Sequence, residues 1–507
     1  MSSGRDARTR VELDITLGQE PLPARPRVES PFNIAVLGDF RGAGSTSDYG
    51  DWQPILVDRD NVDEVMARLS PGLRFRMTSG EQASEQSVNE AQFALQFKEL
   101  DDFHPDRLLQ RVPALAAVWQ LRQRLADTRT FAAAARELRG EEIAAPPPSG
   151  GSARAGGASL LEDILATQAG PALTPVAAPR EDDLQTFIRR VVGPHLIAGQ
   201  DPRQAALVAQ VDEMLVNGLR SLLHQPAFQA LESLWRGVDF LTRRLETDGS
   251  LRVHLVNVPR AVLAADVAAE NERTKRFSRL VNTGVDDAPW AMLAGCYTFS
   301  PSAQDAALLG HIGQVAREAG VPFIAAAHLR LAGCPALDTF TEPAEWTEPV
   351  DPAWGAFRKT PEASHVALAL PRVLLRPAYG DDGEPCELLP FEEATDSPAH
   401  EDFLWGNPAL ACALLLGHSF QRAGWQLRPG LDQNIEGLPL QLVRSAAGTY
   451  VLPCAEALMT ERAAALLLER GLTPLASLKD QGAVRLIRFQ SMASPATALA
   501  GGWNQLA

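Results

Sequence analysis

Short apolar stretches in the first 140 residues alternate between the spacing of strands and the spacing of helices. Polar and apolar side chains alternate over residues 10–17, which predicts a strand with one face in water. Three prolines between positions 21 and 26 then predict a stiff, extended connector. The strand is therefore tethered at a distance, where it can pair within its own domain or be lent to a neighbour. Its apolar face, the candidate for strand exchange, consists of Val11, Leu13, Ile15 and Leu17.

A nearly continuous apolar run at residues 32–37 predicts a buried strand. Asn61 is positioned to cap a helix whose apolar residues lie within 62–69. A leucine-rich helix follows after residue 104, and Pro113 is expected to kink or split it. Alternating apolar residues predict two more strands, at 73–77 and at 93–97. Residues 1–140 are accordingly predicted to form one domain of strands and helices.

Residues 141–200 have the composition of a linker that carries two short helices. Positions 141–158 are rich in Pro, Gly, Ser and Ala, a composition that does not bury enough apolar area to fold. A capping-box pattern opens a helix predicted over 159–168, and a second amphipathic helix is predicted over 183–192. A short helix between flexible segments is marginal alone, so the first needs a groove on this protein or on a partner. Its apolar stripe consists of Leu160, Leu161, Ile164 and Leu165.

Residues 201–507 carry the longest helical patterns and are predicted to form a second, larger domain. A helix with one apolar face starts at Arg203 and is broken by Pro226. A strand pattern follows at 251–258, and the apolar run Ala409–Leu416 predicts a buried helix. Helices and strands occur in both predicted domains, so the expected fold class is mixed α/β. We expect mixed sheets flanked by helices, together with the tethered N-terminal strand and the helical linker region.

Composition and charge narrow the classes of function. The chain has 507 residues and a net charge of -16, which disfavours a nucleic-acid-binding surface. No stretch approaches the roughly 20 apolar residues that span a bilayer, and the first ten residues do not form a secretory signal. The five cysteines show no CxxC spacing and are expected to be reduced packing residues. We therefore expect a cytoplasmic protein without nucleic-acid binding or direct membrane insertion.

The polar residues form no pattern that predicts catalysis or a metal site. Asp39 follows Gly38, but neither GxxxxGK[ST] nor GxGxxG accompanies it. The nine histidines lack paired ligand spacing, and no G-x-S-x-G turn presents Ser419 as a nucleophile. We therefore expect no catalytic residue, no metal and no cofactor.

Charged residues between positions 372 and 393 invite two further expectations. Arg372 and Arg376 flank an apolar strand pattern and are expected to be structural anchors or interface ion-pair donors. Glu392 and Glu393 are expected to be solvated loop charges rather than a general acid and base.

Two sets of motifs resemble two different proteins of one apparatus. Residues 31–40 read P-F-N-I-A-V-L-G-D-F, and F-H-P-D follows at 103–106. This series resembles the small subunit of the contractile sheath of bacterial type VI secretion systems, the TssB/VipA family. Residues 224–237 read H-Q-P-A-F-Q-A-L-E-S-L-W-R-G, and ordered motifs continue to F-Q-S at 489–491. These resemble the large sheath subunit, the TssC/VipB (ImpC/EvpB) family, so the chain resembles a fusion of both subunits.

The resemblance implies sheath-type domains and a set of partners. Expected partners are other type VI sheath subunits or further copies of this chain, with baseplate or sheath-end proteins as additional candidates. In the family, a segment like 159–168 is recognised by a ClpV-type AAA+ unfoldase, so Leu160, Leu161, Ile164 and Leu165 are the candidate binding residues. The candidates for a subunit interface are Phe228, Trp235, Arg236, Arg372 and Arg376.

The large subunits of the family continue into a C-terminal domain that lines the sheath lumen and grips the inner tube. The present sequence ends at Ala507, so we expect a large-subunit region that is truncated before this domain. Our first hypothesis is a structural protein: a specialised accessory, cap or terminator made of fused sheath subunits. The alternatives are an adaptor or regulator that links sheath components to the unfoldase, and an ordinary protomer of the contractile tube. We do not expect an enzyme.

Overall fold

The computed structural model describes most of the chain outside the predicted linker. The predicted strand at 10–17 and the predicted helices at 159–168 and 183–192 lie outside the described residues. These three elements therefore stay predictions. The described residues are 30–42, 52–77, 91–138, 204–269, 275–395, 398–445, 448–479 and 481–505.

Twelve α-helices occur within these ranges, four before residue 140 and eight after residue 200. Prolines stand in the first turn of five of them, where the missing N–H costs nothing. The predicted break at Pro113 is confirmed, because one helix ends at Arg111 and the next begins at Pro113. The helices are α1 (Val62–Leu69), α2 (Pro105–Arg111), α3 (Pro113–Ala126), α4 (Phe131–Leu138), α5 (Gln204–Leu223), α6 (Pro226–Arg244), α7 (Arg260–Val267), α8 (Arg276–Thr283), α9 (Ala303–Ala319), α10 (Pro352–Phe357), α11 (Pro408–Ala423) and α12 (Glu461–Glu469).

Asn61 precedes α1, but its side chain does not cap the helix. The Asn61 Oδ1 atom accepts a hydrogen bond from the Asp58 N–H at 2.9 Å, and Asp58 Oδ1 accepts one from the Asn61 N–H at 3.0 Å. This reciprocal pair closes the turn before α1 and uses the side chain that a cap would need. The capping prediction is therefore wrong.

Fifteen strands occur among the described residues, and nine of them form one sheet. Their order in space is β11-β15-β14-β8-β7-β6-β1-β5-β2. Three two-stranded sheets pair β3 with β4, β9 with β10, and β12 with β13. The strands are β1 (Phe32–Gly38), β2 (Ile55–Val57), β3 (Gly72–Met77), β4 (Ala91–Gln96), β5 (Leu251–Asn257), β6 (Trp290–Phe299), β7 (Phe323–Ala327), β8 (Val366–Leu370), β9 (Val373–Leu374), β10 (Trp405–Gly406), β11 (Asn434–Ile435), β12 (Gln441–Ser445), β13 (Gly448–Leu452), β14 (Thr473–Ser477) and β15 (Val484–Leu486).

The centre of the large sheet is parallel, and its margins are antiparallel. Strands β5, β1, β6, β7, β8 and β14 run in one direction. If β1, β5, β6, β7 and β8 are numbered 1 to 5 along the chain, they lie side by side in the order 2-1-3-4-5. Doubly wound sheets of the flavodoxin type have the same order. Strand β2 on one side and β15 on the other are antiparallel to their neighbours. The expectation of a mixed α/β fold is confirmed.

Helices cover both faces of the sheet, so the molecule has two apolar layers. On β1, Ile34 and Val36 belong to the layer that contains residues of α1 to α6 and α11. Ala35 and Leu37 belong to the opposite layer, with residues of α7 to α10 and α12. Because both faces are buried, the strand reads as a continuous apolar run rather than an alternating one. The run at Ala409–Leu416 is likewise buried, as predicted, inside α11.

Residues before 140 and residues after 200 contribute to the same sheet. Seven residues of β1 pair with β5, and five pair with β6. The strand thus lies between two strands that come from the other side of the predicted linker. The proposed domain boundaries at 140 and 200 stay predictions, but the sheet crosses them.

We expect the two parts of the chain to remain associated after the linker is cut. A protease site inserted between residues 146 and 158 would be cleaved, and the two fragments should elute together in size-exclusion chromatography under native conditions. The reason is that removing β1 would expose two rows of backbone hydrogen-bonding groups and both apolar layers. Separation of the fragments without denaturant would contradict this account.

Candidate functional site

Aromatic side chains of α6 join the first 140 residues to the rest of the molecule. The Phe228 ring lies 5.5 Å from that of Phe103 and 6.0 Å from that of Phe97, measured between centroids. Trp235 Nε1 donates a hydrogen bond to the carbonyl of Phe40 at 3.1 Å. All five rings are buried. Phe228 and Trp235, two of the candidate interface residues, thus lie inside the chain, at the junction of its two parts.

The glycine of the W-R-G motif lets α6 approach a second helix. A Cβ atom on Gly237 would lie 2.5 Å from Leu410 Cδ1 of α11, closer than carbon atoms pack. The glycine is therefore required by the close contact between α6 and α11.

A buried ion cluster lies where α6 meets the segment after β9. Arg376 donates from Nε to Glu232 Oε1 at 2.7 Å and from Nη1 to Glu393 Oε2 at 2.6 Å. Arg236 also donates to Glu232 Oε1, at 2.7 Å, and reaches the Tyr379 hydroxyl at 2.7 Å. The Arg376 guanidinium lies 4.0 Å from the centroid of the Tyr379 ring. Two cations and two carboxylates therefore share one buried site, with the tyrosine as a further partner.

The charges in this cluster stabilise one another against the cost of burial. Burial alone would lower the pKa of Arg376, but Glu232 and Glu393 outweigh it and hold the pKa well above its usual value. Burial alone would raise the pKa of Glu393, but Arg376 and hydrogen bonds outweigh it and lower the pKa to about 2. Both groups are therefore ionised at neutral pH. Removing one partner would leave a buried charge without compensation.

Glu393 corrects an expectation of the sequence. It was expected to be a solvated loop charge, but its side chain is 2% exposed and is paired with Arg376. Its carboxylate also accepts the Tyr379 N–H at 2.8 Å. The neighbouring Glu392 is exposed at the surface, as expected. In an irregular segment, one residue can be buried and its neighbour exposed. Because the segment has no periodic pattern, the sequence does not predict which of the two is buried.

Arg372 makes a separate ion pair, apart from the Arg376 cluster. Its Nε donates to Glu456 Oε2 at 2.9 Å, and His400 Nε2 lies 2.8 Å from Glu456 Oε1. Burial alone would raise the pKa of Glu456, but the contacts with His400 and Arg372 outweigh it and lower the pKa to about 2. Arg376 thus joins Arg236 of α6 in the buried cluster, whereas Arg372 lies in a separate pair with Glu456. Whether any of the five candidates contacts another subunit stays a prediction.

Two residues of the cluster were not singled out from the sequence. Glu232 stands four positions before Arg236, a spacing that favours an ion pair on a helix and was a usable signal. Tyr379 gave no such signal, because its partner Arg236 is 143 residues away in the chain. Only the tertiary fold brings them together.

Polar groups at the carboxyl ends of the parallel strands are engaged in local hydrogen bonds. This is the edge at which doubly wound sheets usually bind ligands. Asp39 Oδ1 accepts the Gly42 N–H at 3.0 Å, and Asn257 Oδ1 accepts the Arg41 N–H at 3.2 Å. The Tyr297 hydroxyl donates to a backbone carbonyl at 2.7 Å. Burial raises the pKa of Asp39, although the backbone hydrogen bond of Gly42 opposes it.

Two kinds of feature are absent from the described residues. No helix among them is long and apolar enough to cross a membrane. Within the same ranges, no group of three or more histidine, cysteine, aspartate or glutamate side chains is arranged to hold a metal ion. The five cysteines, all in the described part of the chain, are free thiols.

Comparison with known proteins separates the chain into the same two parts. Residues 205–493, more than half of the chain, match the family described as VipB, EvpB/VC_A0108, tail sheath N-terminal domain. The chain belongs to this VipB tail sheath family. Residues 2–143 match a second family, described as type VI secretion system, VipA, VC_A0107 or Hcp2. The fusion of a VipA-type part with a VipB-type part, expected from the motifs, is confirmed.

A curated relative supports the assignment of the VipB-type part. The type VI secretion system sheath protein TssC1 of Pseudomonas aeruginosa is 28% identical to this chain over 306 residues. The match covers 57% of this chain and 61% of that protein, so the chain spans less than two thirds of the relative's length.

The family assignment shows which family region each side of the junction belongs to. Strand β1 and Phe40, Phe97 and Phe103 belong to the VipA-type part, whereas β5, β6 and α6 belong to the VipB-type part. The central strand pairing and the aromatic contacts of α6 are therefore contacts between two family regions within one polypeptide.

We expect Arg376→Met to lower the free energy of unfolding by about 3–5 kcal/mol, because Glu393 would stay buried without its cation. Urea denaturation at neutral pH measures the change. The matched control is Arg444→Met, which removes a pair with Asp382 whose side chains are 67% and 31% exposed. The control should change the free energy of unfolding by less than about 1 kcal/mol. Equal effects of the two substitutions would argue against a buried ion cluster.

Proposed function

We propose that the chain is a structural component of a type VI secretion sheath apparatus and acts in the cytoplasm. It assembles with other sheath subunits or with further copies of itself. The observation that carries this proposal is the β1 pairing, in which a VipA-type strand completes the sheet of a VipB-type part. A polypeptide that already contains both parts is a sheath unit of fixed one-to-one composition. The proposal assigns no catalytic residue.

The narrower proposal is a specialised accessory, cap or terminator, and the alternative is an ordinary protomer of the contractile tube. What supports the narrower form is that the matched region is the N-terminal domain of a tail sheath protein. Baseplate or sheath-end proteins are the partners that a cap would meet.

Electron microscopy of the purified chain, alone and mixed with sheath subunits, tests both levels of the proposal. A cap should give discrete particles or decorate the ends of sheath tubes, because it joins the lattice on one side. Long hollow tubes formed by the chain alone would show an ordinary protomer. A protein that neither self-associates nor binds sheath subunits would remove the assembly function altogether.

The second candidate function is an adaptor that recruits a ClpV-type AAA+ unfoldase through residues 159–168. Its support is the apolar stripe on a short segment between linker sequences. Pull-down with the unfoldase N-terminal domain should succeed with the full chain and fail with Leu161→Asp plus Leu165→Asp, since two charges would disrupt an apolar helix face. The matched control is Glu162→Lys plus Asp163→Lys, which changes charge but leaves the stripe. Unchanged binding of the leucine variant would remove the segment from consideration.

A further inference from the structure

His254 lies where strands of the two family regions alternate in the large sheet. Strand β5, from the VipB-type part, lies between β1 and β2, and both of these strands belong to the VipA-type part. His254 is opposite Ala35 of β1 on one side of β5 and opposite Leu56 of β2 on the other side. A change at this side chain therefore acts on both contacts that β5 makes with the VipA-type part.

The His254 side chain is buried without a hydrogen-bond partner. The residue is 3% exposed, and neither ring nitrogen finds a partner in the part of the chain that the structure describes. The ring lies edge-to-face against that of Trp290, with 5.5 Å between the centroids. Burial of a neutral imidazole without a partner already costs free energy, and burial of an unpaired imidazolium costs far more. The site therefore accommodates the neutral ring and excludes the proton.

The charges near His254 offer little compensation for a proton. Strands β1 and β2 contain no ionisable side chain. Asp286 and Arg252 act on the ring, but they are paired with each other at 3.4 Å, and the Asp286 side chain is 73% exposed. Helix α8, which accepts a hydrogen bond from Trp290, carries no acidic side chain and two basic ones, Arg276 and Arg279. An imidazolium at this position would be a buried charge without a close partner.

This environment makes the stability of the joint depend on pH. Burial lowers the pKa of His254 to about 4, while Asp286 opposes the shift and Arg252 adds to it. Above pH 6.5 or so, a histidine of ordinary pKa is neutral in the unfolded chain as well, so pH has little effect there. As the pH falls from about 6.5 to 4, the unfolded chain takes up a proton that the folded chain excludes. The folded arrangement therefore loses stability across this window.

We propose that His254 makes the joint between β5 and the VipA-type strands acid-sensitive. Proton uptake by this side chain opens the sheet between β5 and its two neighbours, β1 and β2, while the regions stay linked in one polypeptide. The device is local, because the proton enters between the strands that join the two family regions. The proposal concerns contacts inside one chain and goes beyond the proposed assembly function.

Hydrogen exchange of the intact chain measures this opening. Amide protection, corrected for the pH dependence of the intrinsic exchange rate, is compared at pH 7.5 and 5.0 for peptides that cover β1, β2 and β5. The pKa of His254 is about 4 in the folded chain and returns to its ordinary value on opening, so protection should fall about 30-fold between these pH values. His254→Leu should remove the fall, because leucine binds no proton. His254→Phe keeps a ring beside Trp290 and should give the same result if the leucine variant does not fold.

The matched control is His365→Leu. Burial also lowers the pKa of His365 to about 4, but this residue precedes β8, within the VipB-type part. The control should leave the fall in protection of β1, β2 and β5 unchanged. Persistence of the fall in both His254 variants would overturn the proposal. An equal reduction by His365→Leu would also overturn it, since it would show that acid unfolds the whole chain at once.

Discussion

The placement of β1 between β5 and β6 is the constraint on which the rest of the structure depends. Every backbone N–H and C=O group in a buried sheet needs a partner, and β1 supplies partners to strands on both sides. Its side chains also enter both apolar layers, with Ile34 and Val36 on one face and Ala35 and Leu37 on the other. Without β1, the VipB-type part would have a gap at the centre of its sheet. The two family regions therefore reach a packed state together.

Helix α6 adds a second joint, and its chemistry is different. Phe228 and Trp235 pack against aromatic residues of the VipA-type part, while Glu232 and Arg236 pair with Arg376 and Tyr379. Apolar packing tolerates small shifts, but a buried ion cluster does not, because any unpaired charge is costly in a medium of low polarity. Helix α6 thus packs against the VipA-type part, and its position is fixed by ion pairs within the VipB-type part.

The topology alone does not indicate the proposed assembly role. Doubly wound sheets host many unrelated functions, so the function has to be argued from particular residues. At the carboxyl ends of the strands, Asp39, Asn257 and Tyr297 are used in hydrogen bonds within the chain. Of the large exposed apolar side chains among the described residues, Leu56 lies on the edge strand β2 and the other five lie between residues 431 and 458. The distribution of surface chemistry therefore draws attention to contacts with other proteins. Membership in a tail sheath family supports the proposed assembly role on independent grounds.

Local signals located some of the elements, chiefly those of the first 140 residues and the long helices. Apolar periodicity located β1, α1, α5 and the buried helix α11, and prolines marked where helices begin or break. The i,i+4 spacing of Glu232 and Arg236 was visible in the sequence for the same reason, since both residues lie on one helix. The capping prediction for Asn61 is wrong even though it is local, because the Asn61 side chain pairs with Asp58 in the turn before α1.

Contacts between distant residues were decided by the tertiary structure. Motifs in the sequence revealed two sheath-like regions in one chain, yet nothing in them showed that β1 would enter the sheet of the other region. That placement depends on pairing between residues more than 200 positions apart, such as Ile34 with Val253. The burial of Glu393 beside exposed Glu392 was equally invisible, because it requires Arg376 and α6 to be in place first. Periodicity reports which face of an element is apolar, and only packing determines what that face meets.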